Sequence, residues 1–365
     1  MYSTDQFRVF AGAPADRLLS RPRRLLQEGR TEDAEQAYQT VLSGTPDLKQ
    51  GWIEYFALLR HARRHDDALA LAERAAAQFG DDDALPAALR GAALVELGQF
   101  REGLAALDAA ARHNPDLGII WHEAGYAAWR LGELSRALMA LDRAFALEPH
   151  GGTLHLRGKV LRQAGRYLAA EVSFEGAAQA AEFAVQREAA EREIRATRRY
   201  AAFPGSKPDT LPPLRRWFAD TGSAPLTGHT GDPASEDQIV DAFACLTGDL
   251  EWRFTVLVAL DGWEGWDDLA GRLGIPVAGE LPADPGAIPL VAARDPAGLP
   301  LWEMQAQAPA ERGRGASLAL RLSPDLTPPD LTGYLTTVPL RGIDLPFATE
   351  AVQHPEARLQ GRVLG

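Results

Sequence analysis

Apolar positions over the first 200 residues recur with two nested periods. Within short segments they fall three or four residues apart, the spacing of one face of an α-helix. Across segments the whole pattern then returns. From Trp121 it runs through Gly125, Gly132, Leu134, Ala137, Leu141 and Ala144 to Pro149. The next pass shows Leu154, Gly158, Leu161, Gly165, Tyr167, Ala170, Phe174 and Ala177, and an earlier one Ala87, Gly91, Leu94, Gly98, Phe100, Gly103, Leu107, Ala110 and Pro115. Fainter passes follow Trp52 and Gly29. The equivalent positions Ala34, Ala68, Gly103, Ala137 and Ala170 lie 34, 35, 34 and 33 residues apart.

Each pass predicts two antiparallel helices. The small residues (Gly125 with Ala137, Gly158 with Ala170) sit where the two helices must approach closely. Glycines 29, 98, 132 and 165 fall at the turn, where positive φ is cheap. Prolines 46, 115 and 149 stop the second helix. Departures are Arg63 at the turn of the second pass, Gly103 for alanine in the third, and Pro22 inside the first helix. This pattern resembles the tetratricopeptide repeat over about residues 15–180, with five units. The resemblance implies an α-solenoid whose units stack because none can bury its apolar face alone. A polar helix over Ala180–Ala202, rich in Arg and Glu, is expected to cap the stack.

The resemblance also implies that the first helix of each unit lines a concave groove through its second, fifth, ninth and twelfth positions. Carried onto this sequence, these are Ile119, His122, Tyr126 and Trp129 with Arg130 adjacent, then His155, Lys159 and Arg162. Earlier units supply Ile53, Ala57 and Arg60, and Leu19 and Arg23. The third unit is bland, with Ala88, Ala92 and Val95. The candidate partner-binding residues are therefore Arg60, His122, Tyr126, Trp129, Arg130, His155, Lys159 and Arg162. An aromatic floor flanked by cations suits a peptide with an apolar anchor and acidic flanks. The carboxylate clamp of chaperone-binding members needs paired asparagines, and this chain has one, Asn114.

Composition changes sharply near residue 200. Six of 25 prolines lie before it and 19 after, so the first part can be largely helical and the second cannot. The organisation expected is a tail over 1–14, the repeats over 15–203, a Pro/Gly-rich linker over 204–233 with a short helix around Leu214–Phe218, and a second domain over 234–365. In that domain a helix is expected over Asp237–Leu246, a strand over Glu251–Ala259 from its alternation, and a helix over Trp263–Leu273. A hairpin is expected from Pro289–Ala293 and Leu301–Gln305 about the turn at Asp295–Gly298, with strands at Ser317–Leu322 and Tyr334–Val338. Together these suggest a small α+β domain with a mostly antiparallel sheet.

Charge divides with the halves: 26 basic against 28 acidic residues up to 200, and 12 against 22 beyond, within a net −12. That argues against nucleic acid or an anionic membrane surface as partner. It also raises docking of the acidic second domain onto the groove of its own chain. No apolar run approaches a membrane span, no secretory leader is apparent, and the single Cys245 points to the reduced cytoplasm. Thirty-five arginines to three lysines fit a GC-rich bacterial source.

Chemical motifs are sparse. His61 and His65 lie one turn apart but flank two arginines, which repel a cation. Gly152–Lys159 lacks the spacing of a phosphate loop. Cys245 lies on a helical stripe where a small buried hydrophobe is expected. The acidic residues Asp261, Glu264, Asp267 and Asp268 form a solvated face. No cofactor or metal set stands out. The function expected is an adaptor that holds a protein partner. Enzymes with chemistry in 235–365, and self-association through the repeats, are the alternatives.

Overall fold

The computed structural model describes residues 13–80, 82–203, 205–211, 213–225, 235–249, 251–323 and 326–335. Packing divides them into two units. The first takes residues up to Ala164 together with Val172–Arg187; the second takes Gly165–Glu171 and the described residues from Glu188 on.

The repeats are five helix pairs: α1 (Ala13–Gln27) and α2 (Thr31–Gly44), α3 (Lys49–His61) and α4 (His65–Phe79), α5 (Ala84–Glu96) and α6 (Phe100–His113), α7 (Gly118–Arg130) and α8 (Leu134–Leu147), and α9 (Gly151–Gln163) and α10 (Tyr167–Gln179). Second helices bury one stripe, such as Ala68, Leu71, Ala72 and Ala75 in α4, or Ala137, Ala140, Leu141 and Ala144 in α8. First helices are buried on several sides, as in α5 with Leu85, Leu89, Gly91, Ala92, Ala93, Leu94 and Val95. They are sandwiched, whereas their partners keep a wet face.

The third unit departs from alanine at position 103 for a packing reason. A methyl on Gly103 would lie 2.9 Å from Val95 Cγ2 and 3.0 Å from the carbonyl oxygen of Gly91. At the turn of the second unit Arg63 adopts φ +56°, where Gly98 and Gly132 both stand at +78°. The turn closes alike in both cases: Arg64 N donates to Leu59 O and Gln99 N to Leu94 O, each at 2.9 Å. Gly158 makes room for the ring of Phe174, 2.7 Å from the position of an added methyl, rather than for the alanine expected.

The second unit begins earlier than the linker expected from the sequence. In the last turn of helix α11 (Ala184–Ala201), Tyr200 joins Phe203, Leu211, Phe218 and Ala219 in one core with Ile239, Phe243 and Trp266. Tyr200 Oη donates to Asp220 Oδ1 at 2.6 Å, and the buried Arg199 donates to the carbonyl of Ala219 at 2.9 Å. From Glu188 on, the supposed cap belongs to this core, and the supposed linker carries a 3-10 turn at Pro208–Thr210 and β1 (Ala224–Pro225) besides α12 (Pro213–Thr221), which stands where the short helix is expected.

The remaining elements are α13 (Glu236–Asp249), β2 (Val256–Ala259), α14 (Gly265–Leu273), β3 (Val277–Ala278), β4 (Pro289–Ala293), α15 (Trp302–Gln305), α16 (Ala308–Glu311), β5 (Ala316–Leu322) and β6 (Leu331–Leu335). The strands form one sheet in the order β1-β6-β5-β4-β2-β3, and every pair is parallel. The antiparallel expectation is thus overturned. Parallel strands covered on both faces read as continuous apolar runs, and all five residues of β4 are buried. The expected hairpin fails at its second arm: Leu301–Gln305 turns into α15. Trp302 enters the core there and donates from its indole to Thr327 O at 2.8 Å. Trp252 and Phe254 precede β2 and pack on Phe243, with ring centroids 6.4 and 6.1 Å away.

Candidate partner-binding cleft

Adjacent first helices touch: α3 meets α5, α5 meets α7 and α7 meets α9, while second helices make no comparable contact with one another. The stack therefore curves with α3, α5, α7 and α9 on its inner side. Between α3, α5 and α7 this side opens into a cleft of about 270 Å³. Its walls are apolar: Ile53 and Phe56 from α3, Leu85, Ala88, Leu89 and Ala92 from α5, and Ile119 and Ile120 from α7. The room comes from the third unit. Alanines 84, 88 and 92 leave space that longer side chains on α5 would fill.

Charged groups stand at both ends. At the N-terminal ends of α3 and α5, Lys49 pairs with Asp83, whose carboxylate also accepts from Leu85 N at 2.9 Å and so caps α5. Asp82 and His113 line the same end. Roughly 16 Å along α3, at 1.5 Å per residue, Arg60 bridges Glu123 at 2.9 Å and Glu96 at 2.5 Å above the Phe56 ring. Burial disfavours the Arg60 charge, yet the two carboxylates hold its pKa above the usual range. Arg60 thus lines the cleft with its charge already met.

The other expected residues form two further groups. Tyr126, Trp129 and Arg130 come together: the rings of Tyr126 and Trp129 meet edge-on at 5.8 Å. Arg130 lies 4.4 Å over Phe100 and donates to Tyr126 Oη at 2.8 Å. Phe100 was missed because it opens a second helix. Trp129 donates to Gln163 Oε1 at 2.5 Å. Along α9, His155 stands edge-on to Phe174 at 5.4 Å, Arg162 lies over the same ring at 5.6 Å, and Lys159 is half-buried between them in sequence. His122 faces inward instead. It is buried, 3.0 Å from Thr153 Oγ1, and beside a 20 Å³ hollow shared with His150 and Glu148. Burial is the main cause that pushes its pKa down, helped by the charges of His150 and Arg60 and opposed by Glu123.

In the second unit Cys245 is exposed, not buried as expected. Asp261 is not a free surface acid: it accepts from the Trp266 indole at 2.7 Å and from Arg294 N at 2.5 Å. Asp268 pairs with Arg272 at 2.8 Å. Among the described residues no three His, Cys, Asp or Glu side chains gather as metal ligands, and no helix is long and apolar enough to cross a membrane.

No family model matches this chain, and no curated protein is similar to it at a significant level. Solved structures similar to it include TTC0263, a thermophilic TPR protein of Thermus thermophilus, 19% identical over 49% of this chain and 98% of that one, with a TM-score of 0.44. PilF of Pseudomonas aeruginosa is 16% identical over 53% of this chain and 93% of its own, with a TM-score of 0.41. MamA from Desulfovibrio magneticus RS-1 is 16% identical over 46% and 95%, with a TM-score of 0.37. The helix pairs, their spacing and their turns make residues 13–179 a tetratricopeptide-type repeat region.

Proposed function

We propose that the repeat region is a protein-interaction scaffold whose working surface is the cleft between α3, α5 and α7. The observation that carries this reading is the cleft itself: an apolar hollow large enough for one or two side chains, on the inner side of a curved stack, with charged groups at both ends. Such a surface favours an apolar anchor in a dry pocket with polar contacts at its rim. The acidic flanks anticipated from the sequence are not carried forward for the cleft, because Arg60 is already held by two carboxylates.

A photo-crosslinking amino acid placed at Ala88 in the full chain, expressed in the source cell, tests the assignment. A discrete crosslinked protein is expected from that site and none from a probe at Met139, an exposed residue of α8. Equal products from both positions, or products from Met139 alone, would sink the cleft as the working surface.

A further inference from the structure

Charge around the cleft narrows which occupant its apolar walls can take. The ionisable side chains that line it, histidine left out, are two cations, Lys49 and Arg60, and three carboxylates, Asp82, Asp83 and Glu123. Glu96, bound to Arg60, adds a fourth carboxylate. Both cations are engaged: Lys49 with Asp83, and Arg60 with Glu123 and Glu96. Asp82 is exposed and makes no ion pair with the described residues. The dipoles of α3 and α5 add partial positive charge at the Asp82 end and equal negative charge at the Arg60 end, so over the whole cleft they cancel. An excess of two carboxylates remains beside low-dielectric walls, where a charge acts more strongly than in bulk water.

Resting on the reading of the cleft as the partner site, we propose that its occupant is a peptide segment with an aliphatic or aromatic anchor flanked by a lysine or arginine. The anchor seats among Ile53, Phe56, Leu89 and Ala92, and the cation pairs with Asp82. An acidic segment would bring like charge against Asp82 and gain little from Arg60, whose charge is already met by Glu96 and Glu123. Asp82 is then the residue that sets the charge preference, while the walls supply most of the affinity.

Selection of phage-displayed random peptides of about 12 residues on the full chain tests this. Selected peptides are synthesised and their binding measured by fluorescence polarisation at about 50 and about 300 mM NaCl. They are expected to carry Lys or Arg within four positions of an apolar residue. Asp82→Lys should weaken them roughly three- to tenfold, and Asp82→Asn less. Ala92→Phe, which fills the cleft, should weaken them more than either; Ala88→Phe serves if that variant loses its helical circular dichroism. If filling the cleft abolishes binding but Asp82→Lys leaves it unchanged or tightens it, the basic flank is wrong and the cleft stands. If binding ignores the filled cleft altogether, the cleft reading itself falls.

Discussion

Single residues show where this chain departs from its own repeat. Arg63 occupies the left-handed conformation that Gly98 and Gly132 take at equivalent turns. A non-glycine residue there is strained by roughly 1–2 kcal/mol, and glycine gives part of that back through its freer unfolded chain. Arg63→Gly is therefore expected to stabilise the repeat region by about 0.5–1 kcal/mol, read as a higher urea midpoint of the helical signal. His122 gives a pH effect of definite sign. Its pKa is lowered in the folded chain, chiefly by burial. The unfolded chain, with an ordinary histidine value of about 6.5, takes up a proton first as the pH falls. Stability should drop from neutral pH downward and level off below the folded value. His122→Gln should flatten this dependence relative to the parent when melting temperatures at pH 7.5 and 5.5 are compared. An equal slope in both would show that His122 carries none of it.

At the scale of elements, α11 carries the clearest lesson. Its many Arg and Glu residues suggest a solvated cap, yet Ala190, Ala196, Thr197, Arg199 and Tyr200 are buried. The polar character of a helix tells how much of it is wet, not which neighbour covers the rest. A fragment starting at residue 204, where composition alone suggests a linker, would lose Tyr200 and Phe203 from the core. Each large aromatic removed from a core costs about 3–5 kcal/mol, comparable with the whole stability of a domain. Residues 188–365 are expected to unfold cooperatively and 204–365 to lack a thermal transition; similar transitions in both would overturn the boundary. The strands teach the same thing about direction. Pro289–Ala293 was legible as a strand from its apolar run, but the turn at Asp295–Gly298 leads into α15 rather than back along the sheet.

For the whole molecule, the repeats were legible and the cleft was not. Neighbouring units contact mainly each other, so the requirements at Ala34, Ala68, Gly103 and Ala137 repeat in sequence and can be counted there. The candidate residues Tyr126, Trp129 and Arg130 do meet, because they share one helix at helical spacing. The cleft depends on what is missing: the small side chains of Ala84, Ala88 and Ala92 look bland until Ile53 and Ile119 are placed on either side. Its charge balance depends on pairs that span units, such as Arg60 with Glu123, 63 residues apart. The sequence by itself determined the helix pairs, their turns and their repeat, since these follow from local periodicity and near neighbours. Only the tertiary structure decided the parallel sheet, the true start of the second unit and the net acidity of the cleft, because each is set by contacts between residues far apart along the chain.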